Sequence, residues 1–296
     1  MACAGSESHT LRDAAADSTT DAAVVPTDAP ADAAHDAAAD AAADGMSAAA
    51  AIDAIKTLAL GSSCYEYQWQ DRGQMPPGYI KGVALVFARA VCNQSRSDIV
   101  VVSEANTGDD VHDALSWYDS IFSSLGMSNA VAGVDTLRHA YTLLVGLGMR
   151  ESSGQHCCGR DMSATNVSSD SAEAGAWQTS WDSHGASTEL TKLFDRYRTS
   201  PSPCYLAEFS DGVTCSATDW ENWGTGADGL AFQQLEKECP AFAAEYAAVM
   251  LRVSGGSTGH YGPLRRHEAE VRPECDALFR QVQSLVEQNA AACGSL

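Results

Sequence analysis

The sequence predicts a mainly α-helical domain, and three observations predict it. Apolar residues recur at helical spacing in segment after segment, as in Ile80, Val83, Ala84, Phe87 and Val91. Pro and Gly punctuate these runs, with Pro76-Pro77 before one helix and Gly126 after another. Strand-compatible residues are confined to short pieces: Ile99 to Val102, read as a short strand or a buried link, and parts of Gln155 to Thr179, read as a small hairpin region.

In order, Ser47 to Leu60 reads as a first short helix, and Cys64 to Pro77 is aromatic and irregular. Tyr79 to Cys92 is a helix. Asp109 and Asp110 open another that runs to Leu125, with Leu115, Tyr118, Ile121, Phe122 and Leu125 as its core stripe. Asp135 is placed to cap the next helix, which carries Leu137, Tyr141, Leu144 and Leu147 inward and ends at Ser152-Ser153-Gly154. Helices follow over Thr188 to Tyr197, Gly229 to Glu238, Phe242 to Val253 and Pro273 to about Ala291. A Trp-rich loop with Trp220 and Trp223 and a Gly-rich loop with His260 and Tyr261 separate them.

The arm before this domain is of another kind. From Asp13 to Asp44 it is mostly Ala and Asp, and Asp32, Asp36, Asp40 and Asp44 would stack like charges along one helical face. Such a segment cannot bury apolar surface and reads as a disordered tether over residues 1–45. That leaves roughly 250 of the 296 residues, 46–296, enough for one large domain. Ala2-Cys3 followed by Ala4, Gly5 and Ser6 resembles a bacterial lipoprotein junction, which implies a lipid on Cys3 as the single membrane contact.

Charge excludes several functions. The formal net charge is −21, so nucleic-acid binding, which needs clustered Lys and Arg, is not expected. An acidic surface favours a neutral or cationic substrate over an anionic one, although local charge can override the total. The phosphate-binding Gly-Lys-Ser/Thr, the Gly-x-Ser-x-Gly elbow and the His-Glu-x-x-His motif are missing, and no cofactor or metal is implied.

Ten cysteines are scattered without a Cys-x-x-Cys pair, which points to disulfides and an oxidising compartment rather than zinc. Setting Cys3 aside, nine is odd, so one thiol should be spare. Adjacent Cys157 and Cys158 should not both pair easily, and Cys204–Cys215 is the expected local bridge.

The chemistry concentrates between Val134 and Ser183. Glu151 lies seven residues after Leu144, about two turns on, and so shares its face. Burial there raises a carboxyl pKa and suits a general acid. The position equally suits a structural Glu paired with Arg150 or Arg160. Glycoside cleavage commonly uses a second carboxyl group. Asp161 is the first candidate, just past a Gly-Arg turn; Glu173, next to Gly175 to Gln178, is second; Asp170 is third.

Glu151-Ser152-Ser153-Gly154 followed by Gly175-Ala176-Trp177-Gln178-Thr179-Ser180 resembles the lysozyme-like superfamily, closest to lytic transglycosylases and goose-type lysozymes. In that family a helix ends in a catalytic Glu followed by Ser, and a Gly-x-x-Gln motif after a short β-region lines the sugar cleft. The resemblance implies a lysozyme-like helical domain with a small β-hairpin region beside the catalytic helix. It implies a secreted or lipid-anchored envelope enzyme, monomeric, that cleaves a β-linked polysaccharide: peptidoglycan, or a chitosan-like or neutral glycan. Glu151 would be the general acid, with Ser152, Trp177, Gln178 and Thr179 on the substrate. The family's Tyr-Asn-Ala-Gly element is missing; Glu245 to Ala248 and His260 to Pro263 are the stand-ins, and Tyr261 is the substrate contact they offer. The competing reading is a non-catalytic polysaccharide-binding envelope lipoprotein, which would tolerate a neutral amide at position 151.

Overall fold

The Val134–Ser152 helix is the axis around which the other elements pack. Every residue from Thr136 to Met149 is buried, so the expected inward stripe is instead burial all round, as befits a helix inside a core. The computed structural model describes residues 46–160, 168–200 and 202–296. Helices Pro77–Cys92, Ser97–Ser103, Pro240–Ser254 and Pro273–Gln288 surround the axis. Three of these four start on a proline at the first helical position, where the missing N–H costs nothing and φ is already helical. The class is mainly α, as predicted. Among the described residues, strand is limited to Gln68–Trp69 paired antiparallel with Gly73–Gln74, and an isolated bridge joins Ala174 to Thr179. Among the described residues, no helix is long and apolar enough to cross a membrane.

Three local expectations change. Ile99 to Val102 lies in the Ser97–Ser103 helix rather than a strand: Ile99 and Val102, three apart, both enter the core, and Arg96 grips Asp98 at the helix start at 2.7 and 2.8 Å. Tertiary burial outweighs the small β-preference of the run. The helix expected from Asp109 to Leu125 is two short helices, Ala114–Trp117 and Asp119–Ser124. Asp113 delays the start, capping the first by accepting from Leu115 N–H at 3.0 Å while taking the Arg252 guanidinium at 2.9 Å, and the two meet at Tyr118. At the axis, Gly133 with φ of 139° precedes the first turn, and Asp135 pairs with Arg138 at 2.6 Å instead of capping.

A buried ionic cluster ties four helices together. Glu245, with its side chain fully buried, accepts from Arg89 at 3.1 Å, Arg196 at 3.1 Å and the Tyr197 hydroxyl at 3.1 Å, and pairs with Arg96 at 2.7 Å. Burial pushes its pKa up, but Arg89 and Arg96 outweigh that and hold it below the usual carboxylate range. Glu245 is therefore structural and does not stand in for a cleft residue.

The disulfides run differently from the expected local bridge. Cys204 pairs with Cys239, and Cys215 with Cys157, so Cys204–Cys215 does not form. Cys239 lies between the Ala227–Glu238 and Pro240–Ser254 helices, and the adjoining Ala241 N–H donates to Cys204 C=O at 3.3 Å, which holds those two cysteines together. Cys64–Cys275 and Cys92–Cys293 close loops of 211 and 201 residues and fasten the first helices to the last. Cys158 is disulfide-bonded too, and no described cysteine is free, which overturns the spare thiol.

The axis is joined to the Gly175–Thr179 turn at Gly148. Trp177 Nε1–H donates to Leu144 C=O at 2.9 Å, and the Tyr79 hydroxyl to Val145 C=O at 3.0 Å. Their rings pack 5.8 Å apart across Gly148, where a Cβ would overlap both the Tyr79 hydroxyl and the Trp177 indole. Gly148→Ala is therefore expected to destabilise the domain by about 1–3 kcal/mol through overpacking, despite alanine's better helix propensity. Chemical denaturation of the variant checks this; unchanged or raised stability would show that the two rings can move aside.

Candidate active site

Four pieces of chain meet at a cleft of about 360 Å³. The axis helix brings Glu151, its penultimate residue. The helix stops there because Ser153 and Gly154 take left-handed φ of 57° and 76° and their N–H groups close on Met149 and Gly148 C=O. The Gln68–Gln74 hairpin turns tightly at Asp71 and Gly73, φ 59° and 70°, and presents Arg72. Arg72 donates to Arg150 C=O at 2.6 Å, so it caps the end of the helix that carries Glu151. The third piece is the turn closed by the Ala174–Thr179 bridge, which contributes Glu173 and Gln178. The Gly-rich loop supplies His260, Tyr261, Arg265, Arg266 and Glu268.

The turn explains its own sequence. Gly175, at φ 76°, donates its N–H to Cys158 C=O at 2.9 Å and lies against Glu236, where a Cβ would come within 2.8 Å of a carboxyl oxygen. Gln178 also takes a left-handed φ, 49°, and its amide donates to Gly175 C=O at 2.9 Å. Gln178 is among the residues that line the cleft, while Trp177 is buried in the core.

The two carboxyl groups differ in their surroundings. The Glu151 pKa is pushed up to about 8, first by burial and then by the neighbouring Glu173 charge; Arg72, Arg266 and Arg265 pull it back only in part. Among the described residues no cation lies within ion-pair distance of Glu151. Arg150 instead sits 3.7 Å from Asp71 and 3.6 Å from Glu268. The structural pairing with Arg150 is thus not the one seen. The Glu173 side chain is 42 % exposed, and His260 Nε2 lies 3.9 Å from its Oε1. Burial lowers the His260 pKa, so the imidazole is largely neutral at neutral pH. The cleft can therefore present a protonated carboxyl group and a second, solvated carboxyl group to one substrate.

Of the sequence candidates, Glu151, Glu173, Gln178 and Tyr261 line the cleft. Ser152, Trp177 and Thr179 do not: all three are fully buried beneath it. The Ser152 hydroxyl is used internally, donating to Ala176 C=O at 2.8 Å and so tying the helix end to the turn. Trp177 fills the core against Tyr79, and Thr179 abuts Glu236. These three support the cleft rather than touch substrate. Asp161 and the arm with Cys3 lie outside the described residues. Asp170 packs against Gly226 and Gly229, away from the cleft. His156 lies beside Cys157 and Cys215, and those two cysteines are bonded to each other.

Sequence reasoning missed Arg72, Arg265, Arg266 and Glu268 in the lining; it named His260 only within a stand-in element and Arg150 only as a structural partner of Glu151. The adjacent Arg265-Arg266 at the end of a Gly-rich loop was the available signal. Compared with protein-family models, curated proteins and solved structures, the chain has no significant match.

Proposed function

We propose that this chain is a secreted or envelope glycoside hydrolase that cleaves a β-linked polysaccharide, with Glu151 as general acid and Glu173 as the second carboxyl group. The observation that carries the reading is the pair itself: a helix-end glutamate holding its proton to about pH 8 shares a cleft with a solvated glutamate. Glu151 would protonate the glycosidic oxygen as the bond breaks. Glu173, in the same cleft, would activate water or attack the anomeric carbon. Gln178 would hold a sugar hydroxyl or acetamido group beside them. The lysozyme-like pattern at Glu151-Ser152 and Gly175 to Gln178 supports the same assignment. Four disulfides of the described chain support an oxidising, extracytoplasmic setting.

Incubation with peptidoglycan, chitosan and neutral β-glucans, followed by analysis of released fragments, tests the reading. One of these is expected to be cut, and the anomeric form of the new end separates retention from inversion. Failure to cut any of them, with purified oxidised protein, would count against an enzyme and for a binding module.

A further inference from the structure

The cleft is charged opposite to the chain. The sequence holds 39 acidic and 18 basic side chains, yet four guanidinium groups, Arg72, Arg150, Arg265 and Arg266, converge on the cleft with three carboxyl groups, Glu151, Glu173 and Glu268. Two of the four arginines are spoken for. Arg266 forms a two-pronged pair with Glu268 at 2.8 and 2.8 Å, and Arg150 lies near both Glu268 and Asp71. Arg72 and Arg265 are different. Their hydrogen bonds go only to backbone carbonyl oxygens: Arg72 to Arg150, Arg265 to Gly259 and His260. Among the described residues neither has a carboxylate within ion-pair distance, and the Arg72 Nε–H is buried without an acceptor. Both act on Glu151 from the cleft walls.

Resting on the glycosidase reading, we infer that the substrate is an acidic glycan, and that Arg72 and Arg265 receive a carboxylate carried by a sugar next to the scissile bond. A guanidinium fork matches a carboxylate in shape and charge, and two forks already fixed through their carbonyl contacts lose little freedom on binding it. An anion there satisfies the Arg72 donor and offsets the excess positive charge left when Glu151 is protonated. A cationic, chitosan-like chain would meet these same guanidinium groups unfavourably. The net charge of the whole chain is therefore a poor guide to this substrate: fields inside a cleft follow the groups that line it.

Matched glycan pairs test the inference on the Glu151→Gln protein, whose binding is read by calorimetry without turnover. One pair is peptidoglycan glycan strands, native and with carboxyl groups amidated; the other is cello-oligosaccharides, oxidised to carboxylates at the primary alcohol and unoxidised. In at least one pair the carboxylate form is expected to bind roughly 10–100-fold more tightly, and added salt should narrow the gap. Arg72→Gln and Arg265→Gln, introduced singly, should bring the ratio toward one, and Arg265→Lys should restore it only in part. Thermal midpoints of the variants establish that the fold survives. Equal binding of charged and neutral partners, or a ratio untouched by either Arg change, overturns the inference and leaves the glycosidase reading standing. No binding to any of the four overturns the inference as well, and the glycosidase reading is then judged by the cleavage panel alone.

Discussion

Glu151→Gln is expected to lower glycan cleavage by about 10²–10⁴-fold or more, the usual contribution of a general acid, with the fold intact. The amide keeps the shape of the carboxyl group but cannot donate its proton to a leaving oxygen. Folding should survive because nothing depends on the charge: no described cation pairs with Glu151, and Arg72 reaches the helix through the Arg150 carbonyl. The pH profile adds a second check. Burial and the Glu173 charge hold the Glu151 pKa at about 8, so activity limited by its acid form should fall as pH rises through that value. Glu173→Gln removes one of the two causes, so in that variant whatever activity remains should show its alkaline limb at lower pH. A Glu151→Gln protein that retains most of its activity would remove the mechanism proposed. One that fails to fold would make Glu151 a structural residue after all.

Helical faces were legible in the sequence; the direction of side chains in a turn was not. Ser47 caps the first helix and Pro77 and Pro273 open two others close to where spacing and proline place them. Glu151 and Gln178, both singled out in the sequence, are among the residues that line the cleft. Trp177 and Thr179, either side of Gln178, are fully buried in a turn where Gln178 takes a left-handed angle, and no period in the sequence encodes that. Ile99 to Val102 shows the complementary limit: four residues carry too little periodicity to set a strand against a buried helix. The disulfides were beyond reach for a topological reason, since two of them join segments about 200 positions apart. The arginines of the cleft escaped because they come from residues 72, 150, 265 and 266, which the fold brings together, while total charge averages over the whole surface.

The second large effect is expected at Glu236, which sequence reasoning did not single out. Glu236 is fully buried in the Ala227–Glu238 helix, directly behind Gly175 and Thr179. The Thr179 hydroxyl beside it offers slight relief, but neither carboxyl oxygen has a partner in hydrogen-bonding geometry. Burial therefore pushes its pKa up to about 8 and the folded chain holds it as a neutral acid. The sign of the linkage follows. Below about pH 4.3 the folded and unfolded chains are both protonated here, and Glu236 adds nothing to the pH dependence. As pH climbs from there through about 8 the unfolded chain gives up the proton while the folded chain keeps it, so folding stability is lost with rising pH. Over that range the loss amounts to roughly 3–5 kcal/mol. Glu151 acts in the same direction, with a smaller share because its carboxyl group opens onto solvent in the cleft. Glu236→Gln should remove the larger part of this slope. Near about pH 4.5 it should unfold at a denaturant concentration close to that of the wild type, and near about pH 8.5 at a clearly higher one. Parallel stability curves for the two proteins across that range would mean that Glu236 is ionised or solvated in the folded state. In that event the wall behind Gly175 and Thr179 would be open to water, and the cleft less dry than the raised Glu151 pKa requires.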